Sequence, residues 1–163
     1  MKNIIVLALI SLILQGCASV SITPPIQNGF SNSRTYDEGF EKTWSASVDW
    51  FADHDVSIDK IQKESGLLTA KYLIAVDGEE LDCGVIKAQS VPYLTVVKQG
   101  SFNATIRPKS SSQTVVSVNF FGTFDLTGRD GNRMVIISES GRCVSTGKIE
   151  AAVLDFIEEK LRE

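Results

Sequence analysis

The sequence predicts an α+β fold in which a curved antiparallel sheet carries two helices on one of its faces. Two segments with helical periodicity flank the strand-rich part of the chain, one near residue 45 and one at the C-terminus. Between them, several segments alternate apolar and polar residues, which is typical of half-buried strands. The simplest fold that buries the apolar faces of both helices has one antiparallel sheet with the two helices packed on it. We therefore expect a single α+β domain over residues 34–163.

The first helix is predicted from four apolar residues near the start of this domain. Phe40, Trp44, Val48 and Phe51 recur at spacings of four, four and three, which places them on one stripe of a helix. We expect the stripe to face the core, although an aromatic platform for a ligand would show the same spacing. Asp37 is the residue expected to cap the beginning of this helix.

The sheet is predicted from the segments that follow the first helix. Strands over 56–62 and 67–76 flank a turn at 63–66 and are expected to form a hairpin. Further strands are expected over 92–98, 102–108, 114–126 and 134–138. The segments 77–84 and 139–147 contain charged residues and glycine, and we expect loops there.

The C-terminal segment 148–163 is predicted to be an amphipathic helix. The face that is expected to pack on the sheet consists of Ile149, Val153, Phe156, Ile157 and Leu161. The face that is expected to contact solvent consists of Glu150, Asp155, Glu158, Glu159 and Lys160. Each of the two helices is therefore expected to bury one apolar stripe against the sheet.

The N-terminal residues combine a positive charge with a short apolar run. Lys2 precedes an uncharged run over 4–14, which is shorter than the about 20 apolar residues that a membrane-spanning helix needs. The run has the length of the apolar region of a secretory signal. It ends in Leu14-Gln15-Gly16-Cys17, which resembles the lipobox of bacterial lipoproteins.

This resemblance implies that the Cys17 thiol receives a diacylglycerol, that a signal peptidase removes residues 1–16, and that the new amino group is acylated. Several acyl chains hold a protein on a membrane almost permanently. Ala18, in place of an aspartate, implies sorting to the outer membrane with the domain facing the periplasm. An ordinary signal peptide or a buried N-terminal strand is the alternative. Residues 17–33, rich in Ser, Asn and Pro and without charge, are expected to form a flexible, lipidated tether.

Charge and cysteine content restrict the partners of the chain. Without residues 1–16 it has 15 basic and 20 acidic residues, a net charge of −5, and no basic cluster, so nucleic acid is not an expected partner. With Cys17 lipidated, Cys83 and Cys143 remain as an even pair, and an oxidising compartment favours a disulfide between them. Two unpaired buried thiols are the alternative. Neither residue has a CxxC motif or a histidine neighbour, so we expect no metal site there.

The segment 36–72 combines an aromatic-rich helix, a strand, a Ser-Gly turn at 65–66 and a second strand. With Phe40 and Trp44 in its helix, it resembles the helix-grip domains of small bacterial envelope lipoproteins. These include BamC, an accessory subunit of the outer-membrane barrel-assembly machine. The resemblance covers about a quarter of the chain. It implies a helix-grip arrangement and an envelope protein as partner, and it carries over no binding residue.

Candidate catalytic and metal-binding residues are few. His54 is the single histidine, and we expect it to cap the first helix or lie on the surface rather than act as a base. Two groups of residues are candidates for a metal loop: the segment 128–132, with the carboxylate Asp130, and the four carboxylates Asp77, Glu79, Glu80 and Asp82. Neither group has the spacing of an EF-hand. The sequence has no phosphate-binding loop, no G-x-S-x-G and no H-E-x-x-H motif, so we expect neither an enzyme nor a cofactor.

Three functions are consistent with these observations. We expect a non-catalytic outer-membrane lipoprotein that binds a partner protein or another envelope component from the periplasmic side. A carrier would instead hold a small apolar ligand or lipid in a cavity lined by Phe120, Phe121 and Phe124. A small hydrolase would use His54. An apolar cavity favours the carrier, contact between His54 and a hydroxyl favours the hydrolase, and a filled core with exposed apolar surface favours the binding protein.

Overall fold

The computed structural model describes residues 18–27, 29–73 and 78–163, so Cys17 and the segment that resembles a lipobox lie outside the described residues. The helices are α1 (Phe40–Asp53) and α2 (Lys148–Leu161), and a short 3-10 turn covers Lys63–Ser65. The strands are β1 (Ser19–Thr23), β2 (Ser33–Tyr36), β3 (Ser57–Gln62), β4 (Leu67–Leu73), β5 (Leu81–Asp82), β6 (Val85–Gln89), β7 (Tyr93–Ser110), β8 (Gln113–Arg129) and β9 (Val135–Ser145).

The strands form two antiparallel sheets. The larger sheet has the strand order β3-β4-β7-β8-β9-β5, and β2 is its seventh strand. Because β7 pairs along one edge of β8, β2 and β9 share the other edge, β2 near the beginning of β8 and β9 near its end. The smaller sheet consists of β1 and β6. The predicted α+β class is confirmed.

A long hairpin of β7 and β8 forms the centre of the larger sheet. The even-numbered positions 114–128 of β8 are buried, so one face of the strand contacts the core along its whole length. We predicted two strands where the structure has the single strand β7, which continues through Gly100 opposite Gly122. A Cβ at Gly122 would lie 2.1 Å from Cδ1 of Leu81. These glycines interrupt the alternation in the sequence without interrupting the strand.

Both helices pack on the same face of this hairpin, as predicted. α1 contacts β7, α2 contacts β8, and the two helices contact each other. Aromatic rings join the layers, because Trp50 and Phe51 of α1 each lie 5.5 Å from Phe102 of β7, measured between ring centroids. Phe102 in turn lies 4.6 Å from Phe120 of β8. Trp50 does not belong to the stripe that the sequence predicts, and yet it is one of the most buried side chains of α1.

The expected cap of α1 is wrong. Asp37 accepts a hydrogen bond from Nε2 of Gln113 at 2.6 Å, and no side chain makes a capping hydrogen bond to the helix. The N-cap is Gly39, whose carbonyl oxygen accepts the N–H and the hydroxyl of Thr43. A capping side chain must belong to the residue directly before the first turn, and Asp37 lies two positions too early.

Glu150 lies in the core and not on the solvent-facing side that we expected. It is 1% exposed and belongs to the first turn of α2. Its Oε1 accepts a hydrogen bond from the N–H of Phe120 at 3.0 Å, and its Oε2 accepts one from the hydroxyl of Ser145 at 2.6 Å. Phe120 lies on β8 between the residues that pair with β2 and those that pair with β9. The carboxyl group therefore satisfies a backbone N–H that neither strand reaches.

Removal of this carboxyl group is expected to destabilise the fold. Glu150→Ala leaves two buried donors without an acceptor, at about 1–3 kcal/mol each, so the free energy of unfolding should fall by about 2–6 kcal/mol. Glu159→Ala removes an exposed carboxyl group from the same helix and should change it by less than about 0.5 kcal/mol. Urea denaturation measures the difference, with Glu150→Gln as an intermediate variant that keeps one acceptor. Equal stability of the Glu150→Ala and Glu159→Ala proteins would contradict the role of Glu150.

Much of the tether predicted over 17–33 is instead part of the folded structure. β1 pairs with β6, beginning with Ser19 opposite Gln89. Val20 and Ile22 of β1 pack against the core, and this alternation is the strand signal that the surrounding serine and proline residues obscured. β2 then pairs with β8 further along the chain. Among the described residues, regular secondary structure therefore starts at Ser19.

β2 holds α2 in place through two side chains. Nη1 of Arg34 donates to the carbonyl oxygen of Leu154 at 3.2 Å, and the guanidinium forms ion pairs with Asp155 and Glu158 at 2.8 and 2.6 Å. The hydroxyl of the buried Tyr36 donates to the same carbonyl oxygen of Leu154 at 2.7 Å. Two side chains of one strand therefore bind one carbonyl group of the helix.

The burial of Tyr36 predicts a loss of stability at alkaline pH. Burial raises the pKa of Tyr36 above its usual value of about 10, while the nearby charge of Arg34 opposes this rise. Above about pH 10 the unfolded chain releases a phenolic proton that the folded chain retains. The free energy of unfolding should therefore fall by about 1.4 kcal/mol per pH unit from this group alone.

Comparison with Tyr36→Phe isolates this contribution. At neutral pH the variant lacks the hydrogen bond to Leu154 and should be less stable than the wild type by about 1 kcal/mol. The difference should shrink as the pH rises above about 10, because the variant has no phenol to ionise. Urea denaturation from neutral to alkaline pH measures both curves. Parallel curves over the whole range would contradict a raised pKa at Tyr36.

Candidate functional site

Cys83 and Cys143 form a disulfide, which confirms the predicted pairing. β5 pairs with the end of β9, and the two cysteines continue this register by one step, with Cα atoms 4.1 Å apart. The predicted loop over 139–147 is mostly the second half of β9. Its Gly141 lies opposite Phe124, whose ring occupies the space that a side chain would need. Because glycine is typical of loops, Gly141 led to the prediction of a loop where the structure has a strand.

Loss of this disulfide is expected to weaken the domain. The two cysteines are 60 positions apart in the sequence, and the loop-closure model assigns about 4 kcal/mol to a bridge of this span. We expect Cys83→Ser/Cys143→Ser to lower the free energy of unfolding by about 2–4 kcal/mol. Reductant should bring the wild type to the stability of the double variant and leave the variant unchanged. Equal stability of oxidised wild type and double variant would contradict the prediction.

The three phenylalanines considered as the lining of a ligand cavity do not share a face. Phe120 and Phe124 are buried on the face of β8 that contacts the core, whereas Phe121 is 45% exposed on the other face. Phe120 contacts Phe102, and Phe124 packs over Gly141. The two buried rings are part of the packed core, and Phe121 points away from them.

His54 is the C-terminal cap residue of α1 and is engaged with the helices. Its Nδ1 donates to the carbonyl oxygen of Trp50 at 2.8 Å, and its ring stacks on the Trp50 indole with centroids 4.6 Å apart. The ring of Phe156 in α2 lies edge-on at 5.6 Å. Among the described residues, no hydroxyl forms a hydrogen bond with the imidazole.

Two of the acidic residues near 80, Glu79 and Asp82, have partners within the protein. Glu79 forms an ion pair with Lys148, whose hydrogen bond and charge lower the pKa of Glu79. A carboxyl oxygen of Asp82 accepts the N–H of Gly84 at 2.8 Å. Asp77 lies outside the described residues. In the part of the chain that the structure describes, no three His, Cys, Asp or Glu side chains are grouped to hold a metal ion.

Two adjoining depressions flank α1, and we call them together the helix-end groove. One, of about 860 Å³, lies between the beginning of α1, the 3-10 turn and β7. The other, of about 390 Å³, lies between α1 and β3. The first is lined by Phe40, Glu41, Lys63, Glu64, Ser65, Gly66, Ile106, Arg107 and Pro108. The second is lined by Glu41, Trp44, Ser45, Val48, Asp49, Ile61 and Lys63.

The groove exposes part of the aromatic stripe that the sequence predicted for the core. Phe51 is fully buried and Trp44 nearly so, but Phe40 and Val48 are half-buried and line the groove. The ring of Phe40 lies 5.8 Å from that of Trp44, measured between centroids. The buried ring of Trp44 therefore supports the half-buried ring of Phe40 at the protein surface.

Charged side chains surround these apolar walls. Glu41 and Lys63, which line both depressions, form an ion pair with each other. Glu64 and Arg107 are exposed at the rim, and neither has an ion-pair partner among the described residues. The helix-end groove thus combines an apolar wall with one unpaired charge of each sign.

The other end of the β7–β8 hairpin carries several exposed apolar side chains. We call this group the apolar tip, and it consists of Tyr93, Leu94, Met134, Val135 and Ile136. β7 begins there, β8 ends there, and the turn from β8 to β9 closes it. Across the three strands, Tyr93 is opposite Arg129, and Arg129 is opposite Val135. Strand pairing therefore brings residues that are distant in sequence to the same end of the sheet.

Two arginines flank the apolar tip. Nη1 of Arg129 donates to the carbonyl oxygen of Arg133 at 3.1 Å, and the guanidinium of Arg133 lies 5.5 Å from the ring centroid of Tyr93. The acidic residue of this turn is Asp130, whose Oδ1 accepts two backbone N–H groups at 2.9 and 2.8 Å. The carboxylate of Asp130 therefore stabilises the turn, and the two guanidinium groups lie at the surface of the turn.

The first strand begins at the same end of the molecule as the apolar tip. Ser19 is paired with Gln89, and the four residues from Gln89 to Tyr93 span at most about 14 Å. The helix-end groove lies at the other end, because β7 runs from Tyr93 to Ile106 over a length of about 40 Å. The chain thus enters the fold at the end opposite to the groove.

Comparison with protein-family models and with curated proteins gives no match to this chain. Within the described residues, neither helix combines the length and the hydropathy that crossing a bilayer requires.

Proposed function

We propose that the protein is a non-catalytic lipoprotein, held on the outer membrane by lipid on Cys17, which binds a partner protein of the envelope through the helix-end groove. The groove carries this proposal. It leaves the aromatic ring of Phe40 and the unpaired charges of Glu64 and Arg107 accessible on the surface. Aromatic side chains supported by a packed interior and surrounded by polar groups are typical of protein-binding surfaces.

Two features support the lipid anchor. The sequence up to Cys17 resembles a lipobox, and the disulfide between Cys83 and Cys143 suits the oxidising periplasm. With Cys17 held at the outer membrane, the groove lies at the far end of the β7–β8 hairpin, where a periplasmic partner can reach it.

The geometry favours partner binding over the two other functions considered. A carrier is not supported by Phe120, Phe121 and Phe124, because two of these rings are packed in the core and the third lies on the other face. A hydrolase is not supported by His54, whose Nδ1 is bound to a backbone carbonyl and whose ring is stacked on Trp50. The groove, in contrast, has side chains whose accessible groups no contact within the domain uses.

The groove also indicates the chemistry of the partner segment. An apolar side chain of the partner would contact Phe40 and Pro108 in the larger depression. An acidic residue of the partner would pair with Arg107, and a basic residue with Glu64. The larger depression, of about 860 Å³, has room for such an apolar side chain.

Site-specific photocrosslinking in living cells tests this proposal. A photoreactive amino acid at position 64, on the groove rim, should form a covalent adduct with a single envelope protein. The same amino acid at position 103, exposed on β7 away from the groove, should form none. Arg107→Glu should reduce the adduct at position 64 about tenfold, because loss of a favourable rim charge costs on the order of 1.4 kcal/mol.

The matched control is Arg142→Glu, which makes the same charge change on an exposed residue of β9. It should leave the adduct at position 64 unchanged. Equal adducts at positions 64 and 103 would contradict a specific site at the groove. Equal effects of Arg107→Glu and Arg142→Glu would show that net charge, and not the groove, governs the interaction.

A further inference from the structure

We propose that the apolar tip rests in the headgroup layer of the membrane that carries the lipid anchor, and so fixes the orientation of the domain. The inference rests on the proposed lipidation of Cys17. It adds a second contact with lipid that the protein makes with its own side chains. The domain then stands on the bilayer with the helix-end groove directed away from it.

The position of the chain entry is the first argument. Cys17 is two residues before Ser19, so their Cα atoms are at most about 8 Å apart. Through the pairing of Ser19 with Gln89 and the short connection to Tyr93, the lipidated residue lies within about 30 Å of the tip. Val91 in that connection lies against Gly128 near the end of β8.

The short connection to the anchor is the second argument. A tether of the predicted length would let the domain tumble freely above the bilayer. In the structure, β1 occupies the first part of that segment, and a single residue separates Cys17 from β1. A lipid on Cys17 therefore holds this end of the domain close to the headgroups, where nearby apolar side chains meet the bilayer.

The chemistry of the tip is the third argument. Met134, 67% exposed, together with Val135 and Ile136, offers aliphatic surface to the acyl boundary. Tyr93 is of the residue type that is enriched at membrane interfaces. Arg129 and Arg133 place guanidinium groups beside it, and these groups pair well with lipid phosphates. This local positive charge belongs to a chain that is acidic as a whole.

The size of the tip favours lipid over a second copy of the chain as its occupant. A stable protein interface buries about 800 Å² on each partner. The tip has five apolar side chains, which are between 40% and 67% exposed and lie at the end of a hairpin. This area is too small for a stable dimer, but it suffices for a contact that a lipid anchor already holds at the membrane.

An environment-sensitive fluorophore at the tip tests the contact. Met134→Cys introduces one exposed thiol at the tip, and Ile61→Cys introduces the matched control thiol on β3, in the wall of the helix-end groove. In the processed chain the introduced cysteine takes the label, because Cys17 carries lipid and the other two cysteines form the disulfide. The purified processed chain is then bound to vesicles of phosphatidylethanolamine and phosphatidylglycerol, some containing brominated lipid.

We expect the label at position 134 to shift its emission to the blue on vesicles and to be quenched several-fold by brominated lipid. The label at position 61 should show neither change. Vesicle-bound protein in which both labels respond alike would overturn the inference. So would a blue shift at position 134 before vesicles are added, which indicates a second copy, or a shift seen with native membranes but not with pure lipid, which indicates a protein partner.

Failure of the lipid anchor gives a different result. The processed chain would then not float with the vesicles, and Cys17 of the unsubstituted chain would itself take the label. That outcome would overturn the proposed attachment together with the inference. A chain that floats but keeps a water-exposed tip would overturn the inference alone.

Discussion

The fold depends on how the outer edge of β8 is completed. β2 and β9 each cover part of this edge, and a gap remains between them. The N–H of Val118 is bound by the carbonyl of Asn32, and the N–H of Phe120 is bound by the carboxyl group of Glu150. Because Glu150 also accepts the hydroxyl of Ser145, the first turn of α2 is fixed to the centre of the sheet at the end of β9. A buried N–H without a partner would be costly here.

This attachment gives the molecule two different ends. With the beginning of α2 fixed at the middle of β8, both helices cover the half of the β7–β8 hairpin that contains its connecting turn. The other half extends beyond the helices to the apolar tip. Val20, Ile22 and Ile86 of the smaller sheet also pack against the core. The groove and the tip are therefore consequences of where one helix meets one strand. The proposed function assigns a partner to one end and a membrane to the other.

The sequence predicted the parts of the fold that periodicity marks clearly. Both helices, the β3–β4 hairpin and the α+β class follow from stripes and alternations that one face of each element imposes. β7 and β9 were predicted too short, because Gly100 and Gly141 lie where neighbouring side chains need their space. β1 was not predicted, because two apolar residues in a segment of serines are a weak strand signal. The strand is evident only from its pairing with β6.

The candidate sites were less predictable than the fold. Phe40 was identified in the sequence, but its place at the surface depends on the 3-10 turn and β7, which tertiary structure brings beside it. The apolar tip combines Tyr93 with residues after Asp130 through strand pairing alone. Helical periodicity places Glu150 on the solvent-facing side of α2. Periodicity does not show that the N–H of Phe120 on β8 lacks a strand partner and is bound by this side chain. Lipidation at Cys17 is a prediction from the sequence alone.

The covalent state of Cys17 in protein extracted from cell membranes tests the central claim most directly. Mass spectrometry of the intact chain and of its N-terminal peptide measures this state. The proposed attachment predicts a chain that begins at Cys17 and carries a diacylglycerol on the sulfur and an acyl group on the amino nitrogen. A chain that retains residues 1–16, or one with an unmodified thiol at Cys17, would contradict both the membrane attachment and the orientation inferred from it.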